Sequence, residues 1–153
     1  MRTRVATDTA TIVVFDPACL RHRLNEAADW WSIPSKELAE VNAGNAAFFN
    51  LGADGIYELE VVPSLERPSV TVLVRNTSGR FFLGAGEYVS SGGFEPEAEY
   101  GNVFLEARPG TYAIAAKMSA ANYVLLSIAL IDSAPANAFA DLVRLQSKHG
   151  VRR

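Results

Sequence analysis

The central part of the chain alternates apolar and polar residues with a period of two, which predicts β-strands. Residues 56–62 place Tyr57, Leu59 and Val61 on one face and glutamates on the other, as expected for a strand with one face in water. Residues 122–131 are apolar on both faces, so we expect this strand in the middle of a packed sheet. In total we expect eight strands, at residues 9–15, 46–51, 56–62, 69–75, 80–89, 103–107, 111–118 and 122–131.

Glycine and proline mark the turns between these strands. The sequence from Gly52 to Gly55 predicts a hairpin between residues 46–51 and 56–62, because its Asp-Gly step readily adopts positive φ. The Pro-Gly step before residue 111 suits a type II turn. Short strands at regular spacing predict a mostly β fold, which we expect to be a two-layer β-sandwich of jelly-roll type.

Three segments with helical character flank the strands. Residues 17–28 predict a short helix with Asp16 as its N-cap, and residues 32–41 predict a second one. A third helix is predicted over residues 133–149, where apolar residues follow helical spacing. Because no repeat or linker interrupts the pattern, we expect one domain over residues 1–153.

Composition narrows the choice of partner and compartment. The formal charge of −3 at pH 7 is mildly acidic, which disfavours a general affinity for nucleic acid. No apolar segment approaches the ~20 residues of a membrane span, and the N-terminal residues lack a signal-peptide core. The single cysteine, Cys19, cannot form an intramolecular disulfide, which fits a reducing cytosol. We therefore expect a cytoplasmic protein that binds neither nucleic acid nor membrane.

The first candidate contact region lies in residues 16–31. His22 and Glu26 are four residues apart, so on a helix they would share one face and could form a general base, a ligand anchor or half of a metal site. A zinc site needs three or four ligands and the only other histidine is His149, so we expect no metal. The alternative is a solvated helix face. The candidate binding residues here are Asp16, His22, Arg23, Glu26, Asp29, Trp30 and Trp31.

The two adjacent tryptophans in this region point in different directions in any regular structure. One of them can therefore lie in the core while the other stays near the surface. A half-exposed tryptophan is a frequent binding anchor because it buries a large area with few torsions. The alternative is that both indoles are packed.

The second candidate region is the irregular loop at residues 90–102, which has glutamates at alternate positions between two aromatic residues. Long loops on rigid scaffolds often carry function, so this one could recognise a basic partner surface. It lacks the spacing of a calcium loop, and the carboxylate separation that glycoside hydrolysis requires cannot be read from a sequence. A solvated acidic loop is the alternative. The candidate binding residues here are Phe94, Glu95, Glu97, Glu99 and Tyr100.

Three runs of sequence, FDPACLRHRL, DWW and AGNAAFFNLGADGIYELEV, resemble an uncharacterised family of small single-domain bacterial proteins. All three lie within the first 61 residues. The resemblance implies a bacterial origin and an accessory role. It implies no catalytic residue.

The function remains open among three classes. The chain has no nucleophile elbow and no phosphate-loop lysine, so we assign no catalytic residue and no cofactor and do not favour an enzyme. The favoured hypothesis is a non-catalytic module that binds another protein, of the immunity, inhibitor or secretion-accessory type. One alternative is a sandwich that binds a small ligand or carbohydrate, with Trp30 or Trp31 stacked on a ring. The other is a hydrolase that uses Asp16, His22 and Glu26 or the loop glutamates.

Overall fold

The computed structural model describes residues 1–145, which form two β-sheets and several short helical segments. The nine strands are β1 (Arg2–Thr7), β2 (Thr11–Phe15), β3 (Ala46–Asn50), β4 (Gly55–Val61), β5 (Val70–Asn76), β6 (Arg80–Ala85), β7 (Val103–Glu106), β8 (Gly110–Ala120) and β9 (Tyr123–Ile131). The helix α1 spans Pro34–Asn42, and short 3-10 segments span Pro17–Arg23, Trp30–Ser32 and Gly86–Tyr88. The expected mostly β fold is confirmed.

The strands form one sheet in the order β1-β4-β9-β8-β5 and another in the order β3-β2-β6-β7. Neighbouring strands are antiparallel except β4 and β9, which run parallel with Leu59 opposite Val124. Jelly rolls are built from antiparallel strands, so the expected jelly-roll arrangement is not confirmed. Strand β9 lies in the middle of its sheet, as its apolar pattern predicts.

Aromatic rings form much of the core. Phe81 on β6 and Tyr112 on β8 meet edge-on between the two sheets, with ring centres 5.1 Å apart. On the other face of the four-stranded sheet, Trp30 packs edge-on against Phe48 on β3. That face is therefore covered by helical segments, which explains why every residue of β2 is buried.

The predicted hairpin between residues 46–51 and 56–62 is wrong. Both strands exist, but β3 pairs with β2 while β4 pairs with β1 and β9. The chain from Gly52 to Gly55 therefore passes from one sheet to the other. The local turn signal is real, since Gly52 has a φ of 88°, but pairing depends on which partners the remote strands offer.

Strand β1 is missing from the sequence-based prediction. Its outward side chains include Arg2 and Arg4, and its register places Arg4 opposite Glu58 on β4. Only Val5 and Thr7 are buried, so the hydrophobic signal of this strand is short. It forms because the edge of β4 offers backbone groups and complementary charge.

The helices differ from the prediction in extent. The first is a 3-10 segment that ends at Arg23 rather than residue 28, and the second corresponds closely to α1. The third is wrong for residues 132–145, which contain no helix. The rest of that expected helix, with Lys148 and His149, lies outside the described residues.

Residues 132–145, called the C-terminal strap below, instead cover the edges of both sheets. Asn137 bonds to the backbone of Leu73 on β5, and residues Val143 and Leu145 bond to the backbone of Asn50 on β3. Val143 and Leu145 are buried. Edge strands expose unpaired backbone groups, and the strap satisfies them.

Candidate functional site

A cleft of about 830 Å³ lies beside the loop at residues 86–102, called the acidic loop below. Its apolar lining includes Ala28, Tyr88, Val89, Phe94 and Pro96. Four glutamates also line it, namely Glu87, Glu95, Glu97 and Glu99. We call this concavity the acidic cleft. A concave surface that combines apolar walls with a few charged groups is the usual form of a binding site.

The acidic loop is attached to residues 21–32, called the support segment below. Gly92 and Gly93 have φ values of 60° and 84°, which turn the chain so that its N–H groups face the support segment. Four hydrogen bonds connect the acidic loop to the support segment. They run from Gly92 N–H to Glu26 O (2.9 Å), Gly93 N–H to Leu24 O (2.8 Å), Ser91 Oγ to Ala28 O (3.0 Å) and Trp30 Nε1 to Ser90 O (2.9 Å). One wall of the cleft therefore rests on the support segment.

The four carboxylates of the cleft differ in their partners. Glu87 accepts hydrogen bonds from the hydroxyls of Thr7 and Thr9, and Glu95 lies 3.5 Å from Arg21. Within residues 1–145, no cationic side chain lies within salt-bridge distance of Glu97 or Glu99. Glu97 and Glu99 therefore give the cleft negative charge that the described chain does not neutralise.

The phenol of Tyr88 responds to this negative field. Burial raises the pKa of Tyr88, and the charges of Glu87 and Glu99 raise it further. Both effects favour the neutral phenol. The charges of Glu87 and Glu99 therefore disfavour additional negative charge beside Tyr88.

Two aromatic side chains project from the acidic loop into solvent. Phe94 is 77% exposed and Tyr100 is 78% exposed, the highest values among the large hydrophobic residues of the described chain. Tyr100 also has a φ of 54°, a left-handed conformation that bulky residues rarely adopt. Exposed rings on a well-attached loop are typical of a contact surface.

Side chains of the support segment meet at Glu40, a buried residue of α1. Glu40 Oε2 lies 2.8 Å from both His22 Nε2 and Arg23 Nε, and Oε1 accepts a 2.8 Å bond from Asn45. Burial alone would raise the pKa of Glu40. The bonds from Asn45, Arg23 and His22 outweigh burial, so the pKa lies below its ordinary value.

The two tryptophans have different environments. Trp30 is 1% exposed and lies under the guanidinium of Arg23, 4.9 Å from its ring centre. Trp31 is partly buried, and its indole N–H donates to the carbonyl of Ala28 at 3.2 Å. The stacking role considered for Trp30 is wrong, because no ligand can reach its ring face.

The sequence of the chain matches a known protein family. The family described as "Family of unknown function (DUF6386)" matches residues 1–145. The chain belongs to this family. The expectation of an uncharacterised family is thereby confirmed. No curated protein matches this DUF6386 chain.

Two solved structures resemble the DUF6386 chain in shape. "Crocagin biosynthetic gene J" matches with a TM-score of 0.53 and 13% identity, over 86% of this chain and 96% of that chain. ComJ from Bacillus subtilis, an inhibitor of the DNA-degrading activity of NucA, matches with a TM-score of 0.49 and 12% identity over the same shares. At this identity the first likeness concerns the fold alone.

The structure divides the first candidate region of the DUF6386 chain. Asp16 is fully buried, where its carboxylate accepts bonds from Ala18, Thr77 and Ser78. Burial opposes ionisation of Asp16, but the bonds from Ser78 and Thr77 outweigh it and lower the pKa. Asp16 therefore stabilises the turn that contains Thr77 and Ser78, and its carboxylate is not accessible to a ligand.

The hydrolase that we considered for Asp16, His22 and Glu26 has no geometric support. His22 contacts Glu40, and Glu26 is paired with Lys36 at 3.0 Å. Each of the three side chains faces its own partner. Asp29 is exposed next to Ala28 of the cleft wall.

Most of the second candidate region lines the acidic cleft, namely Phe94, Glu95, Glu97 and Glu99, whereas Tyr100 lies outside the lining. Glu87 and Glu40 are not among the residues that the sequence pattern predicts for a site, although the pattern covers both segments. Glu87 lies in a segment that it predicts as a strand, and Glu40 lies on an unremarkable helix. In the structure, Glu87 is distinguished by the hydrogen bonds that it accepts from the N–H of Asp8 and from two threonine hydroxyls, and Glu40 by its burial.

Neither a metal centre nor a membrane-spanning helix is found in the described part of the chain. Among residues 1–145, no three His, Cys, Asp or Glu side chains are placed to hold a metal ion together. Within the same residues, no helix combines the length and the apolar character that a membrane crossing requires.

Proposed function

We propose that this DUF6386 chain is a non-catalytic protein-binding module, of the inhibitor or accessory type, that docks a basic segment of another protein in the acidic cleft. The observation that carries the proposal is the placement of the exposed Phe94 ring beside Glu97 and Glu99 in one concave surface. An exposed aromatic ring contributes much contact area at low entropy cost. Uncompensated carboxylates steer a cationic partner towards it.

Charge supports a basic partner over a neutral one. The carboxylates of one cleft repel each other, and a lysine or arginine of the partner relieves that repulsion. Arg21 already does so for Glu95, at 3.5 Å. A partner that presents further cations to Glu97 and Glu99 completes the pattern.

The lining of the cleft supports binding rather than catalysis. Its described residues include glutamates, small residues and aromatic rings, with no histidine, cysteine or lysine. The hydroxyl of Ser91 donates to the carbonyl of Ala28 instead of pairing with a base. The hydroxyl of Ser91 is therefore not arranged as an activated nucleophile in the described lining.

The test is affinity capture from the native host with wild-type protein and three variants, at low salt and at high salt. A stoichiometric partner should bind the wild type and should be lost with Phe94→Ala, with Glu97→Lys plus Glu99→Lys, and at high salt. Glu66→Lys, an exposed charge reversal outside the cleft, is the matched control and should retain the partner. A partner that survives both cleft variants, or no partner at any salt concentration, contradicts the proposal.

A second concavity favours the small-ligand alternative at a different place from the tryptophans. A pocket of about 410 Å³ lies at the open end of the core and is lined by Phe81, Phe104, Tyr112 and Ile128, among others. An apolar molecule could insert there between the sheets. Ile128→Trp, which would fill this pocket, should abolish any thermal shift that a panel of apolar compounds produces. A panel without any shift removes this alternative.

A further inference from the structure

We propose that Glu40 is a positioning residue for the acidic cleft, acting on the acidic loop through Arg23 and Trp30. The inference rests on the proposed function of the cleft as a docking site. It assigns a role to a buried ion pair that touches no residue of the cleft lining.

The first contact joins α1 to the support segment. Glu40 is 4% exposed, and its Oε2 accepts from Arg23 Nε and lies beside His22 Nε2, both at 2.8 Å. Asn45 occupies the other oxygen. A buried carboxylate with three partners holds those partners in one geometry, because any displacement leaves a charge without compensation.

The second contact joins the support segment to the start of the acidic loop. The Arg23 guanidinium lies 4.9 Å from the centre of the Trp30 ring, so Glu40 fixes the cation that covers the indole. The indole also packs edge-on against Phe48, and its N–H donates to the carbonyl of Ser90 at 2.9 Å. Glu40, Arg23, Trp30 and Ser90 thus form a continuous series of contacts.

The third set of contacts places the binding groups themselves. The N–H groups of Gly92 and Gly93 donate to carbonyls of the support segment, immediately before Phe94 and Glu95. If the support segment moves, these two bonds and the one from Trp30 are the first to weaken. The cleft wall that carries Phe94 then loses its fixed position, and docking loses preorganisation.

Glu37 provides a matched control for Glu40. It lies on the same helix and is also 4% exposed, so Glu37→Gln makes the same chemical change at an equally buried position of α1. Its carboxylate, however, accepts from Asn50 on β3 and contacts no residue of the support segment. A difference between Glu40→Gln and Glu37→Gln therefore reports the contact with the support segment.

The deciding measurement is amide hydrogen exchange on the full chain. Glu40→Gln should speed exchange of the Gly92 and Gly93 amides about tenfold, because a charge-assisted bond that holds the support segment is lost. Any rise for amides of β8 and β9 should be smaller and limited to the loss of global stability, and Glu37→Gln should leave the glycine amides as in the wild type. Unchanged glycine amides in Glu40→Gln, or an equal rise in all sheet amides, overturns the inference.

Fluorescence gives a second readout that needs no partner. Trp31→Phe leaves Trp30 as the only tryptophan of the chain. In that background Glu40→Gln should shift the Trp30 emission to longer wavelength and increase quenching by acrylamide, while Glu37→Gln should not. An identical emission in all three proteins also overturns the inference.

Partner binding separates this inference from the proposed function. With the partner captured above, Glu40→Gln should bind about tenfold more weakly, mainly through faster dissociation, although the cleft lining is intact. If the wild type captures no partner, the proposed function fails while the exchange and fluorescence results still decide the role of Glu40. If the partner binds Glu40→Gln as it binds the wild type, the positioning role fails while the proposed function stands.

Discussion

Asn137 pairs through its side-chain amide with both backbone groups of Leu73. Its Oδ1 accepts from the Leu73 N–H and its Nδ2 donates to the Leu73 carbonyl, each at 2.9 Å. The same Nδ2 lies 2.7 Å from the carbonyl of Val41 on α1. One side chain thus takes the place of a neighbouring strand at the edge of β5 and ties that edge to the helix.

The pairing of Asn137 with Leu73 predicts that a nearly isosteric substitution of Asn137 strongly lowers the stability of the protein. Asn137→Asp replaces a donor by a carboxylate oxygen that faces two carbonyls, so it should lower the free energy of unfolding by about 3 kcal/mol. Urea denaturation followed by circular dichroism measures it. Asn25→Asp, at an exposed position, is the control and should change the free energy by less than about 0.5 kcal/mol. Equal effects at the two positions would show that Asn137 does not secure the sheet edge.

Two glycines of the acidic loop have the same φ of 84° but different surroundings. A Cβ atom on Gly101 would lie 1.8 Å from the carbonyl oxygen of Arg4 on β1, whereas a Cβ on Gly93 would meet nothing within 4 Å. Gly93→Ala should therefore lower the free energy of unfolding by about 1 kcal/mol, from backbone strain alone. Gly101→Ala should lower it by at least about 2 kcal/mol more, because the loop must leave β1. Calorimetry of both variants distinguishes strain from collision, and equal losses contradict the close approach.

The buried carboxylates of α1 predict opposite dependences of stability on pH. The pKa of Glu40 lies below its ordinary value of 4.5 in the fold, so its contribution is present above pH 4.5 and is lost as the pH falls through the folded pKa. The charged or titratable groups around it are His22, Arg23, Glu26 and Lys36. Glu40→Gln should therefore destabilise the protein at pH 7 and flatten the acid limb of the stability curve.

Glu37 should show the opposite dependence of stability on pH. Burial raises its pKa, and the bond from Asn50 only partly offsets this, so ionisation of Glu37 weakens the fold as the pH rises through the folded pKa. Glu37→Gln should remove that loss and should not reduce stability at pH 7. Urea unfolding at a series of pH values between 3 and 8 measures both variants. If the two variants give parallel curves of stability against pH, the pKa values of Glu37 and Glu40 are not shifted in opposite directions.

Cys19 should be unreactive in the native protein. Burial, followed by the nearby charge of Asp16, raises its pKa from 9.0 to about 11. At a given neutral pH the thiolate fraction is therefore about a hundredfold lower than in an unperturbed thiol. Alkylation by iodoacetamide should be slow in buffer and complete in concentrated urea. Rapid alkylation without urea would show that the segment after Asp16 opens readily.

The candidate site shows which parts of a binding surface can be predicted from a chain. Phe94, Glu95, Glu97 and Glu99 could be singled out because a long loop with glutamates at alternate positions and aromatic residues on either side is unusual between short strands. Whether these residues line the same cavity as Ala28 depends on how residues far apart in the chain fold together. The same holds for Glu40, whose partners His22 and Arg23 precede it by 18 and 17 residues.

The sequence by itself determined that the chain builds strands, where most of them lie and that β9 belongs in the middle of its sheet. These features follow from the order of apolar and polar residues, and that order is local. Only the tertiary structure decided that β3 and β4 separate, that β9 runs parallel to β4 and that residues 132–145 form a strap rather than a helix. Each of these outcomes depends on backbone groups and side chains of remote segments, which compete for the same edges, and no short window of sequence contains both competitors.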